Sequence, residues 1–278
     1  MGFPIVLSTD ENYIVPTYVA VHSLLRNIDA KTDVDIFILS SGFKEEEKKY
    51  FYELSNKIHF VEVEMKDLQL SINLPYISIA TYYRFLIPEI LKNYDKCLYL
   101  DSDIVVKGDI TPLFDIPMED YLLLGVRNYF SSEENFQFYK KRCMECNLDN
   151  LKHYVNAGVL VLNLKDIKET DLHSQMIEDA VDNFYPYNDQ DVINKHCAER
   201  TKIISAKYNF MVPYLKNISA TSKAINEDIL QISQNPVYSD PDLRWFLLRQ
   251  PWCSPEMLPP TLLPCNPDQQ KSPQSPSF

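Results

Sequence analysis

Asp101 and Asp103, one residue apart in Lys96-Cys97-Leu98-Tyr99-Leu100-Asp101-Ser102-Asp103-Ile104-Val105-Val106, are the pair in this chain best placed to do chemistry. They follow an apolar run with the composition of a β-strand and precede a second β-rich run. In extended backbone, residues i and i+2 point to the same side with Cα atoms about 6.6 Å apart, so both carboxylates can enter one space. Their mutual repulsion, about 2–3 kcal/mol at an effective dielectric near 20, is removed by a shared divalent cation. On spacing alone the pair is either a metal site or two solvated turn residues, and the surrounding elements have to decide.

Those elements alternate. Phe3 to Ser8 is a short apolar run, the pattern of a strand buried on both faces of a parallel sheet, and it ends in Thr9-Asp10-Glu11-Asn12-Tyr13. A helix follows from about Pro16 to Asn27, then a strand at Val34 to Leu39, a charged amphipathic helix at Lys44 to Ser55 and a strand at Ile58 to Val63. Ser78 to Leu91 reads as a further helix carrying Thr81, Tyr82, Tyr83 and Arg84. Beyond the paired aspartates the pattern predicts a strand at Tyr121 to Val126, a helix at Glu133 to Cys146, a strand at Val155 to Leu164 and a helix at Asp166 to Phe184. Another helix opens at Asn188-Asp189-Gln190-Asp191, where Asn188 or Asp189 suits an N-cap. Alternation of this kind implies an α/β fold, parallel strands joined by right-handed crossovers into a doubly wound sheet. Ligands of such sheets sit outside the carboxyl ends of the strands, where Thr9-Asp10 and Asp101-Ser102-Asp103 would meet.

Composition removes several function classes. A formal charge of -12 argues against nucleic-acid binding, which needs clustered Lys and Arg. The five glycines, Gly2, Gly42, Gly108, Gly125 and Gly158, are too far apart for either Gly-rich phosphate cradle. A nucleotidyltransferase, which would add a Gly-rich basic loop to an acidic metal site, is disfavoured for the same reason. The six cysteines follow no regular spacing, and Cys143-Met144-Glu145-Cys146 has no second pair to complete a zinc site, so reduced structural thiols are expected. The N-terminus has no basic n-region, and no run of about 18 apolar residues occurs, so the expected address is cytoplasmic, in solution or at the inner face of the membrane.

Taken in order, the motifs resemble those of glycosyltransferase family 8. The matching segments are the first strand into Asp10-Glu11-Asn12-Tyr13, Ser78-Ile79-Ala80-Thr81-Tyr82-Tyr83-Arg84, Leu98-Tyr99-Leu100-Asp101-Ser102-Asp103, Asn156-Ala157-Gly158-Val159 and Asp189-Gln190-Asp191. The resemblance implies a single Rossmann-like nucleotide-sugar-binding domain of the GT-A type, with a mostly parallel central sheet flanked by helices, over residues 1–235. It implies a metal-dependent retaining transferase that moves galactose or glucose from a UDP-sugar to a glycan or lipid-linked acceptor, as in lipopolysaccharide synthesis. Asp10, Asn12 and Tyr13 would contact uracil and ribose, with Ser8 and Ser102 also on the nucleotide. Arg84 would lie near the diphosphate and donor sugar, and Asp101 and Asp103 would hold Mn²⁺ or Mg²⁺. Asn156, Asp189 and Gln190 would surround the donor hexose, Gln190 on the face suspected of assisting retention. Without the resemblance, Arg84 is equally an ion-pair partner for an Asp, and Asn156 a turn residue.

The C-terminus departs from that family. Its members close the site with His-x-x-Gly-x-x-Lys-Pro-Trp, whose His completes the metal site and whose Lys meets the diphosphate. Aligned on Pro251-Trp252, those positions hold Arg244, Leu247 and Gln250, and arginine has no lone pair to give a cation. Ten of the 18 prolines fall between Pro236 and Pro276, making 236–278 an atypical Pro-rich segment with the composition of a partly disordered tail. Either the tail has diverged, leaving the metal to two carboxylates, water and diphosphate, or an altered frame or truncation after about Pro236 has replaced it. The abrupt shift favours the second, which predicts weakened UDP-sugar and metal affinity and makes an impaired UDP-sugar-binding protein the alternative function. The tail offers no basic amphipathic helix for peripheral membrane docking.

Overall fold

The computed structural model describes residues 2–64, 78–128 and 153–210, with single positions between 137 and 148. Seven strands form one sheet. In chain order they are β1 (Phe3–Ser8), β2 (Val34–Ser40), β3 (Ile58–Glu62), β4 (Lys96–Asp101), β5 (Leu123–Arg127), β6 (Val155–Asn163) and β7 (Thr201–Ile203). Their order across the sheet is β3-β2-β1-β4-β6-β5-β7. β1 lies at the centre with β2 and β4 parallel to it on either side, and Ile5, Val6 and Leu7 are fully buried. Period-2 alternation sends Ile5, Leu7, Leu98 and Leu100 into one core, against α1 (Ile14–Asn27) and α2 (Glu45–Leu54). Val6, Cys97 and Tyr99 point into the other core. Helices α3 (Ile87–Ile90), α4 (Leu164–Glu169), α5 (Leu172–Asp182) and α6 (Asp189–Cys197) contribute Ile87, Leu164, Met176, Val192 and Ile193 to that second core.

One expectation holds and three change. The sheet is mostly parallel as expected, and β6 is the strand that runs antiparallel, to both β4 and β5. A run buried on both faces reads the same in either direction, which is why its pattern did not disclose the reversal. The expected strand beyond Asp103 is absent, because β4 ends at Asp101 and a turn begins at Ser102. The expected helix over Ser78–Leu91 is a 3-10 helix at Ile79–Leu86, opened by Ser78 Oγ accepting from the Ala80 N–H at 3.1 Å and continuing into α3. The tighter winding eclipses i and i+3, so Thr81 and Arg84 share a face. The helix expected at Asp166–Phe184 is two helices, divided where Asp171 takes φ 51°. Cys97 and Cys197 are buried free thiols, and burial holds the Cys197 thiol up at about 12. The expected 133–146 helix and the whole Pro-rich segment lie outside the continuously described residues, and so do Arg244, Leu247 and Gln250.

Candidate functional site

Strand register builds the site. Ser8 pairs with Asp101, so β1 and β4 end level, and the Ser102 hydroxyl donates to the Ser8 carbonyl. Because β6 is reversed, with Val159 opposite Leu100, it is the beginning of that strand that reaches the same edge, delivering Asn156, Ala157 and Gly158 beside Asp101. The N-terminus of α6 and the Thr81–Arg84 face of the 3-10 helix close the space. The result is a cavity of about 200 Å³. It is lined by Ser8, Asp10, Tyr13, Arg84, Asp101, Ser102, Asp103, Asn156, Asp189 and Gln190, which is every expected site residue except Asn12. Asn12 is exposed, and its backbone N–H donates to Asp10 Oδ1 at 2.8 Å, a turn that leads the chain into α1. Thr81, Tyr99, Gly158 and Tyr187 line the cavity as well. Sequence reasoning assigned none of these a role, although Thr81 at i−3 from Arg84 in the matching motif was the available signal.

Arg84 is the electrostatic centre. It is 6% exposed, donating from Nη2 to Asp101 Oδ1 at 3.0 Å and from Nη1 to the Ala157 carbonyl at 2.6 Å. Its Nε donates to the Thr81 carbonyl at 2.9 Å and stands 3.0 Å from Asp189 Oδ2, and its guanidinium lies 4.2 Å from the Tyr99 ring centre. Burial opposes the arginine charge, but Asp189, Tyr99 and Asp101 outweigh it, and the group is held well above its ordinary range. Arg84 is thus an ion-pair partner for two aspartates, and it also lines the cavity. Burial raises the Asp189 carboxyl, and Arg84 together with the Thr81 hydroxyl, which donates to Asp189 Oδ1, holds the shift back. Asp189 is therefore no N-cap. It is the first residue of α6, with its carboxylate committed to Arg84 and Thr81, and the preceding Asn188 makes no side-chain cap and sits at φ 48°.

The β6–α6 wall is a closed polar network. Asn156 Oδ1 accepts from the Gly158 N–H at 2.9 Å and from Asn209 Nδ2 at 2.8 Å, and its Nδ2 donates to Gln190 Oε1 at 3.1 Å. Asn194, 2% exposed, grips β6 from α6 by accepting from the Val155 N–H at 2.7 Å and donating to the Val155 carbonyl at 2.9 Å.

The donor set fits a hard divalent cation, being carboxylate oxygen. A Cβ at 158 would stand 2.8 Å from Asp101 Oδ2, closer than real Cβ atoms come, so glycine is what lets that carboxylate occupy its place. Among the described residues no group of three or more His, Cys, Asp or Glu is arranged around one metal position.

The sheet, with Asp101 at a strand end and Asp103 in the turn beyond it, has the GT-A glycosyltransferase fold that it shares with the solved galactosyltransferase LgtC. The model of glycosyl transferase family 8 matches residues 4–232, and the chain belongs to that family. It is 30% identical over 216 residues to a Haemophilus influenzae protein assigned as a glycosyltransferase, covering 74% of this chain and 62% of that one. It is 27% identical over 207 residues to the lipopolysaccharide 1,2-glucosyltransferase of Escherichia coli, covering 72% and 60%. The match therefore spans less than two thirds of the length of these relatives. The crystal structure of the galactosyltransferase LgtC, in complex with donor and acceptor sugar analogues, superposes with TM-score 0.67 at 25% identity, covering 91% of this chain and 88% of that one. No helix among the described residues is long and apolar enough to cross a membrane.

Proposed function

We propose that the protein moves a hexose, galactose or glucose, from its UDP-sugar to a glycan or lipid-linked acceptor of a bacterial surface polysaccharide, with retention and with Mn²⁺ or Mg²⁺. The observation that carries this reading is one cavity with paired carboxylates on its floor and a rigid polar wall beside them. Asp101 and Asp103 would hold the cation, which when bound supplies Lewis-acid stabilisation of the charge that grows on the diphosphate. Asp10 and Tyr13, with Asn12 nearby, would receive the uridine. Arg84 keeps Asp101 and Asp189 aimed. The Asp189 carboxylate and Asn156 amide dipoles would stabilise positive charge growing at the anomeric carbon. UDP leaves without protonation by a carboxylic acid, so no glycosidase-like acid is required.

The test is calorimetric titration with UDP in the presence and absence of Mn²⁺, followed by a hydrolysis assay on UDP-galactose and UDP-glucose. Mn²⁺-dependent UDP binding with turnover of one sugar is expected, and no UDP binding at all would overturn the reading. The replacement of the closing His and Lys by Arg244 and Gln250 favours a second reading, a UDP-sugar-binding protein without turnover. Binding without hydrolysis or transfer would select it.

A further inference from the structure

We propose that Tyr154 and Asp191 are positioning residues that lock the Gln190 amide in one orientation, so that this side chain serves the site as an N–H donor and not through its oxygen. A glutamine amide turned by 180° keeps its shape but exchanges donor for acceptor, so its orientation decides its chemistry. Here both ends are fixed by groups that have a single role. Oε1 accepts at 3.0 Å from the Ala157 backbone N–H, which can only donate, and at 3.1 Å from Asn156 Nδ2. Nε2 donates at 3.1 Å to the Tyr154 oxygen, which is an acceptor because its own proton goes to Asp191 Oδ1 at 2.6 Å.

Asp191 is fully buried, Tyr154 is 1% exposed, and the other carboxylate oxygen of Asp191 accepts from the Tyr187 N–H at 2.8 Å. Orientation is thus passed from Asp191 through Tyr154 to Gln190. A flipped amide would set its oxygen against the Tyr154 oxygen and its NH₂ against the Ala157 N–H, two repulsive contacts in place of two bonds. Both lone pairs of Oε1 are occupied, and the remaining polar hydrogen of the side chain is the second N–H of Nε2. On the hexosyl-transfer reading, from which this consequence follows, an oxygen so engaged does not attack the anomeric carbon, and Gln190 acts by hydrogen-bond donation.

The test uses the full chain with Tyr154→Phe, Gln190→Ala and the double variant, read in two ways. In the first, side-chain amide hydrogen exchange is followed by NMR, the Gln190 pair being assigned by its loss in Gln190→Ala. The lock predicts slow exchange in the wild type and exchange about tenfold faster in Tyr154→Phe. Unchanged exchange overturns it. In the second, UDP-hexose turnover by Tyr154→Phe should lose on the order of 10- to 100-fold in kcat, with KM within about twofold. The same change made in Gln190→Ala should cost less than about twofold, because both act through one group. Full additivity overturns the positioning role. Should Tyr154→Phe fail to fold, Asp191→Asn keeps the volume, can donate to Tyr154 and should give the same faster exchange. A wild type that binds UDP-hexose without turnover, or not at all, counts against the proposed function, and the exchange measurement then judges the lock alone.

Discussion

On the β1 side of the cavity Asp10 is half-buried and Tyr13 is 40% exposed, whereas on the β6–α6 side Tyr154, Asn188, Asp189, Asp191 and Asn194 are all 4% exposed or less. The first wall makes local turn contacts, such as Asn12 N–H to Asp10, while the second is cross-linked between elements far apart in the chain. The difference teaches which part of recognition is prepaid by folding. Burying a polar group is costly unless it is bonded, and Tyr154, Asp191 and Asn194 are bonded across the second wall by folding itself. On the proposed function, the more exposed Asp10 and Tyr13 would lose further side-chain freedom when UDP binds. Substitutions in the two walls should therefore fail differently, one in stability and the other in affinity.

The largest effect is expected at Arg84, which belongs to the fixed wall. Arg84→Met removes the ion-pair partner of the buried Asp189 and of the half-buried Asp101 and should destabilise the fold by about 3–5 kcal/mol, read as a lower urea midpoint. An unchanged midpoint would mean that Asp101 and Asp189 do not depend on Arg84, and the contrast between the walls would collapse. Gly158→Ala comes next. Its Cβ, 2.8 Å from Asp101 Oδ2, must push the carboxylate aside at a stability cost of about 1–3 kcal/mol. On the proposed function it should also weaken Mn²⁺-dependent UDP binding by about tenfold or more, some 1.4 kcal/mol. Loss of stability with full metal response would place the cation away from Asp101.

Much of this architecture was legible from residues. β1 and β4 declared themselves as apolar runs ending in acidic turns, and the ordered motifs gathered all but one of the expected site residues around one cavity. What stayed hidden has physical causes. The reversal of β6 leaves no trace in a strand buried on both faces, yet without it Asn156 would lie at the opposite edge of the sheet. Asp189 carries the local signature of an N-cap, and only the approach of Arg84 and Thr81 from about a hundred residues upstream overrides it. Thr81 and Arg84, three residues apart, share a face in either kind of helix, and only the 3-10 winding that eclipses them was not legible. The Tyr154–Asp191–Gln190 chain joins two segments 36 residues apart and has no local pattern at all.

The smallest stability effect, and the sharpest test of the contrast, is expected at Tyr13. This side chain is 40% exposed and lines the cavity, and α1 buries its own stripe from Thr17 to Leu24 without it. Tyr13→Ala should therefore move the unfolding free energy by no more than about 0.5 kcal/mol. If the ring receives the uridine as proposed and does so by stacking on the base, UDP affinity should fall by about 1–3 kcal/mol, measured by the same calorimetric titration. The two numbers must separate for the comparison to stand. A stability loss above about 1 kcal/mol with UDP affinity intact would make Tyr13 a packing residue, and the nucleoside would have to be held elsewhere. Affinity lost at constant stability would leave the reverse pattern to Arg84, where stability falls first and binding falls with it.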